Sequence, residues 1–300
     1  WRSASIGGFI AGGSGGIGSV RWGFLRDQGH LLGMEVITLE NPPRKLKLNA
    51  NDSEPLNHAY GTNGIITSLT IATTSAVSWQ EVIIDCEDFS AAVELLLSIT
   101  QAAVELYLAT LLEKDIVANL PAYRGMSHES HKLLILVAPD GVETLKNLSI
   151  RKKAKLTHLG AEDLTVGTGL RELTWNHTTL HMRSADSQWT YLQMLLPKPE
   201  IKVINLLKRK WGNDLLWHIE GVRQYGEQRL AALPVIRWRG KNVLEEMISD
   251  CKNNEAILFN PHVITVEDGG LGVVDTNQVK AKANYDPEGI LNPGKLRGWM

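Results

Sequence analysis

The sequence predicts an α+β protein built in three sections, and three observations carry that prediction. Residues 1–75 are rich in Gly, Ser, Thr and β-branched residues and break into short apolar runs. From about residue 78 the pattern becomes a strand–helix–strand succession, without the regular β–α alternation of a doubly wound parallel sheet. From residue 255 the texture changes again, through Asp268-Gly269-Gly270 to a tail punctuated by Pro and Gly. The sections are 1–75, 76–259 and 260–300, the middle one expected as a sheet covered on one face by helices.

Taken in order, residues 34–39 read as a strand that Asn41-Pro42-Pro43 breaks, and residues 64–72 as a second strand with apolar alternation. Residues 80–85 form the next strand. Residues 89–101 carry apolar positions at helical spacing, with Ser90 as the cap. Residues 104–109 alternate like a strand and residues 131–137 are a strand outright. After the break at Asp140-Gly141 come a helix over 142–151 and a strand over 155–159. Further on, apolar runs at 215–219 and 233–238 bracket a turn-rich segment, and a helix covers 243–253. No tandem repeat is visible.

Composition excludes several classes. With 43% hydrophobic residues among 300, the chain buries a large core, and a net charge of -2 at a pI near 6.5 provides no field for nucleic acid or an anionic membrane. The one basic run, Arg151-Lys152-Lys153 with Lys155, reads as a solvated helix end. Cys86 and Cys251 are too far apart for a metal-ligand spacing, and a cytoplasmic location is the default expectation. No apolar run approaches the roughly 18 residues of a membrane span. The chain opens on Trp1 and directly on a glycine-rich stretch, so an N-terminal portion is expected to precede it.

That stretch holds seven glycines between Gly7 and Gly18, and Gly13-Ser14-Gly15-Gly16-Ile17-Gly18 spells G-x-G-x-x-G. As a nicotinamide fingerprint it needs a strand before, a helix after and an acid some 20 residues on. Residues 5–11 as a weak strand, 19–28 as a short helix and Glu40 supply part of this. Against it, Gly7-Gly8 would sit inside a buried strand, Gly23 and Gly29 interrupt the helix, and no Tyr is followed by Lys four residues on. An NAD(P) reductase is the weaker alternative. A polar linker is disfavoured by Ile6, Phe9, Ile10 and Ile17. A glycine loop wrapped along a phosphate-bearing cofactor, its amides forming an anion nest, fits better.

Residues 4–8, 10–16, Trp22-Gly23, Arg26-Asp27 and 31–36, then Gly61-Thr62-Asn63-Gly64-Ile65-Ile66-Thr67, and finally Asp286-Pro287 followed by Gly289 through Lys295 together resemble the FAD-linked oxidase family. These are the vanillyl-alcohol-oxidase/PCMH-type flavoproteins, including the glycolate oxidase and D-lactate dehydrogenase branch. The resemblance implies the second half of a PCMH-type FAD-binding domain and an α+β, ferredoxin-like cap, with the first FAD subdomain lying before residue 1. It implies FAD as cofactor, a small alcohol or 2-hydroxy acid as substrate, and an electron acceptor that it does not identify. Gly7, Gly8, Gly12, Gly13 and Gly16 would line the flavin and pyrophosphate through backbone amides. Gly64, Ile65 and Ile66 would pass beside the cofactor, and Asn292 would hydrogen-bond near it. The chain departs from the family pattern at Asp268, where the branch often carries His, and at Trp217-His218-Ile219-Glu220, which lacks the branch's metal motif; a lone His218/Glu220 pair is a poor ligand set. A non-catalytic remnant of the family is the second alternative.

Oxidising an alcohol at a flavin requires a base for the hydroxyl proton and a group that fixes the substrate. His262 and Glu267 precede the C-terminal signature and are the first candidates, since His titrates near neutrality. Arg124, beside Gly125, is a candidate carboxylate clamp. His128 and His131 read as helix-end histidines in preference to a metal pair, and the nine tryptophans as packing.

Overall fold

A computed structural model describes residues 4–13, 15–121, 129–165 and 168–299. The chain divides into two compact units, one of residues 1–15, 24–75 and 260–300 and the other of 16–23 and 76–259. The strands among the described residues are β1 (Leu31–Ile37), β2 (Lys45–Asn49), β3 (Ile65–Ile71), β4 (Gln80–Cys86), β5 (Leu106–Leu112), β6 (His131–Val137), β7 (Lys155–Ala161), β8 (Trp189–Tyr191), β9 (Gln193–Leu195), β10 (Leu215–Leu216), β11 (His218–Gln224), β12 (Glu227–Ala232), β13 (Val235–Arg237) and β14 (Ile257–Phe259).

In the larger unit, eight strands form one antiparallel sheet in the order β14-β9-β12-β11-β5-β6-β4-β7. The half β5-β6-β4-β7 is connected as β4, helix Phe89–Gln101, β5, β6, helix Val142–Arg151, β7. This is the split βαβ arrangement of a ferredoxin-like fold, as expected for the cap. The other half repeats it as β9, helix Glu200–Trp211, β11, β12, helix Lys241–Asn253, β14. The two halves join through their equivalent strands, with Leu112 opposite His218 and Thr110 opposite Glu220. A structural duplication is therefore present where the sequence shows no tandem repeat. Its second copy has strands of only three residues at β9 and β14, too short for periodicity to register.

The sheet is covered on both faces, not one. The four helices share a core with Val82, Ile84, Leu111, Ile135, Trp217 and Ile219 on the first face. On the second face, Leu170, Leu173, Met182 of helix Asn176–Ala185, and Trp189 pack on Leu108, Leu112, Leu134 and Leu136. Double coverage explains why β6 is buried at every position and why its sequence is a continuous apolar run. The cap of helix Phe89–Gln101 is Asp88, whose side chain accepts from Ala91 N, and not Ser90. Asp88 alone precedes the first helical residue with extended backbone, the geometry a cap requires.

The smaller unit is built on a three-stranded antiparallel sheet, β2-β1-β3, around Ile10, Leu31, Met34, Val36 and Leu56. Residues 6–12 are neither a strand nor an extended loop but the helix Ile6–Gly12. Ser5 caps it by accepting from Gly8 N at 3.0 Å, and Gly13 closes it in the left-handed region at φ 58°. Ile6, Phe9 and Ile10 stand at i, i+3 and i+4, a helical period that the glycines mask. The second short helix is only Ser19–Trp22 and belongs to the larger unit. No helix among the described residues is long and apolar enough to cross a membrane.

Candidate functional site

The smaller unit gathers three stretches that lie far apart in sequence. Helix Ile6–Gly12 leans on β3, so a Cβ placed on Gly7 would lie 3.8 Å from Ile66 Cγ2. The chain between helix Glu54–Leu56 and β3 is tied to the end of that first helix, with His58 N donating to Ile10 O at 2.9 Å and Tyr60 N to Ala11 O at 2.8 Å. The C-terminal signature reaches the same place: Asn292 Nδ2 donates to Tyr60 O at 2.8 Å and to Gly61 O at 3.2 Å. Asn63 Nδ2 donates to Pro55 O and to Gln278 O of helix Thr276–Tyr285.

Backbone strain concentrates at this junction. His58, Tyr60, Gly61 and Asn292 have φ of 61°, 53°, 65° and 42°. Non-glycine residues in the left-handed region persist where the surroundings over-determine them, commonly at functional sites. Around Asn292 the signature is held by a buried ion pair between Lys282 and Asp286. Asp286 also accepts from Ile290 N at 2.9 Å and Leu291 N at 2.8 Å, while Lys282 Nζ donates to Leu291 O at 2.7 Å. Burial raises the Asp286 pKa, but the Lys282 bond, the two amides and the ammonium charge outweigh it and hold the carboxyl below its ordinary value.

The predicted site residues divide unevenly. Gly7, Gly8, Gly12, Gly13, Gly64, Ile65, Ile66 and Asn292 all fall in the smaller unit, whereas Gly16 falls in the larger. The amides of Gly8, Gly13 and Gly16 already have internal acceptors in Ser5 Oγ, Ile10 O and Ser19 Oγ. Gly8 lies within the first helix and Gly13 closes it, so these amides are taken up by bonds inside the chain. His262 is exposed, its main-chain N–H bonded to Asn260 Oδ1. Glu267 is buried, and its two oxygens accept from Arg297 N at 3.0 Å and Gly298 N at 3.2 Å, clamping the last residues of the chain. Arg124 lies outside the described residues.

Sequence reasoning missed His58, Tyr60 and Lys282, and read Asp286 only as part of the C-terminal signature. An Asp immediately before Pro-x-Gly was the available signal for Asp286, since Asp caps such turns with its own carboxylate. His58 and Tyr60 had none, because their role depends on what packs against them. In the larger unit, His218 and Glu220 are fully buried and bonded to each other at 2.6 Å, and Glu220 also accepts from Trp175 N at 3.0 Å and from the Thr110 hydroxyl. No group of three metal-ligating side chains with suitable geometry exists among the described residues.

The resemblance implies FAD, and part of the smaller unit suits it. β3 pairs only with β1, leaving its outer edge without a strand partner among the described residues, and Ile65 beside that edge is 49% exposed. The main chain at Gly64–Ile66 is thus presented for contact, with glycine at 64 held at φ 144°.

Neither a family model nor a curated protein matches the chain. Among solved structures, it is similar to alkyldihydroxyacetonephosphate synthase in two crystal forms. For the P1 form the TM-score is 0.66 at 15% identity, and for the P212121 form 0.67 at 16%. Each match covers 97% of this chain, which spans 57% of the length of the structure it matches. The mixed α/β architecture with its large antiparallel sheet is the fold of the matching part of those structures.

Proposed function

We propose that this chain is the cap-bearing portion of an FAD-dependent oxidoreductase that oxidises a small alcohol or 2-hydroxy acid by hydride transfer to flavin. The observation that supports it most is the convergence of the glycine-rich segment, the Gly61–Ile66 stretch and the C-terminal signature on one strained junction, where Asn292 meets Tyr60 and Gly61. FAD, when bound, supplies the hydride acceptor, and oxygen or another acceptor reoxidises it. The Gly64, Ile65 and Ile66 main chain would hold it, with Gly7 beside them. His262 is put forward as the base that takes the hydroxyl proton, being an exposed imidazole shortly before the signature. Glu267 is better suited to holding the tail, because both of its oxygens accept main-chain bonds. Arg124 remains the proposed clamp for a substrate carboxylate.

The test is a flavin spectrum of the purified protein, followed by anaerobic titration with glycolate, lactate and aromatic alcohols. Retained absorbance near 450 nm that one of these bleaches is the expected result. A protein that takes up no flavin when supplied with excess FAD overturns the proposal.

A further inference from the structure

At this junction the His58 side chain packs against the end of the first helix. Gly13 sits against it so closely that a Cβ there would fall 2.1 Å from His58 Cγ and 2.3 Å from Cδ2. The second glycine pair of the stretch, which reads in sequence as a phosphate cradle, is therefore filled by an imidazole. The ring lies between Arg26, whose Nη1 is 3.4 Å from His58 Nδ1, and Tyr60, whose Oη is 3.4 Å from Nε2, and it leans on the Tyr60 ring at a centroid separation of 5.2 Å. A guanidinium only donates, so Nδ1 is the acceptor, the proton is on Nε2 and the Tyr60 oxygen receives it. The His58 carbonyl accepts from Gln278 Nε2 at 3.3 Å. The other charged groups near the cluster, Glu54 and Asp275, lie 3.8 and 3.7 Å from Arg26.

We propose that His58 is a positioning residue for the cofactor: a neutral wedge, seated in the space that Gly13 leaves, that fixes the left-handed run through Tyr60 and Gly61 and so the placement of the Gly64–Ile66 main chain. The inference rests on the flavin reading above. It follows from the directions of the bonds. His58 N and Tyr60 N fasten the turn to the helix Ile6–Gly12, Asn292 fastens it to the tail, and the imidazole fills the gap between them. Burial, and secondarily the Arg26 charge, lowers the His58 pKa to about 4, so the Nε2–H form persists at neutral pH.

The experiment compares His58→Asn, Gly13→Ala and the double variant Gly13→Ala/His58→Gly with the unaltered chain, by FAD titration and by thermal unfolding without FAD. Asn tolerates positive φ, so His58→Asn is expected to unfold near the parent temperature while its FAD Kd rises at least about tenfold. Gly13→Ala is expected to lower both stability and affinity, because its Cβ would fall 2.1 Å from His58 Cγ and 2.6 Å from His58 Cβ, and His58→Gly in the double variant, which removes both atoms, to recover part of the lost stability. A His58→Asn variant that binds FAD like the parent overturns the proposal. So does a double variant no more stable than Gly13→Ala. If the parent itself binds no FAD, the flavin reading fails. The wedge is then judged by imidazole NMR of the cofactor-free chain, where an Nδ1–H tautomer, or a charged ring at pH 6, removes it.

Discussion

Replacing Asp286 by Asn tests whether the C-terminal signature is a structural lock. The Lys282 side chain is 2% exposed and that of Asp286 fully buried. Removing one charge of such a pair strands the other in a low-dielectric setting and costs about 3–5 kcal/mol, whereas an exposed pair contributes about 0–1 kcal/mol. Asp286→Asn leaves the ammonium with neutral oxygens only, and Lys282→Met leaves the carboxylate with two amides. Each single change is expected to cost about 3 kcal/mol or more. The double variant buries no charge and keeps an amide oxygen for Ile290 or Leu291, so it should lie at least about 2 kcal/mol above the sum of the singles. Urea unfolding followed by far-UV circular dichroism, with amide exchange at Ile290 and Leu291, measures both quantities. Single costs below about 1 kcal/mol, or strict additivity, refute the reasoning. The pH dependence has a definite sign. A carboxylate whose folded pKa is depressed contributes stability that is complete above its unfolded value, about 3.9, and is lost as pH falls through the lower folded one. The pair should therefore hold at pH 5 and fail only in stronger acid.

Three further outcomes are expected. Burial pushes the Cys86 and Cys251 thiols up to about 12, so a disulfide-exchange reagent at pH 8 should label neither until the protein unfolds, and rapid stoichiometric labelling of the native chain would contradict this. Burial, then the Lys114 charge, lowers the His131 pKa to about 4; the unfolded state binds the proton more readily, so stability should fall as pH drops from about 6.5 toward 4. His131→Gln should flatten that part of the profile, and an unchanged slope counts against it. Gly221→Ala would set a Cβ 2.6 Å from Thr100 Cγ2 and 3.3 Å from Val20 Cγ2, with an expected cost of about 1–3 kcal/mol; a neutral result would mean that the helix end moves aside freely.

How far the molecule can be read from its sequence depends on where each signal is stored. Long apolar segments were legible: β4, β6 and the helices Phe89–Gln101 and Val142–Arg151 lie within a residue or two of expectation, because their periodicity is a direct image of burial. The glycine-rich segment was misread in conformation, since Gly weakens every local preference and the helix depends on the Ser5 cap and on Ile10 reaching the core. Helices Asn176–Ala185 and Thr276–Tyr285 were missed because most of what they bury is polar, Thr178 and Thr179 in the one and Gln278 and Lys282 in the other, and Glu200–Trp211 was missed although Val203, Ile204 and Leu207 carry the helical period. Asn292 was singled out through its motif, and its side chain donates to Tyr60 O and Gly61 O. His58 was not, because what singles it out is the absence of a side chain at Gly13, forty-five positions away, a relation no local pattern contains.

The duplication in the larger unit accounts for the most buried polar cluster in it. A single ferredoxin-like half leaves its second strand as an open edge, with unpaired main-chain groups that invite pairing with another chain. Joining β5 to β11 removes two such edges at once. The outer edges that remain are defended by other means: β14 is only three residues long, and β7 begins at Lys155 after a basic turn. At the join, Thr110 and Glu220 face each other across the ladder, and Glu220 accepts from Thr110, His218 and Trp175 N. A carboxylate buried to this degree persists only when its oxygens are satisfied. Each of the three donors comes from a different segment: one from each half of the sheet, and one from the segment that covers it. An apolar pair at 110 and 220 would bury more favourably but would discriminate less between registers that keep the same faces buried. A carboxylate with three assigned donors accepts one, which makes the join between the two halves specific.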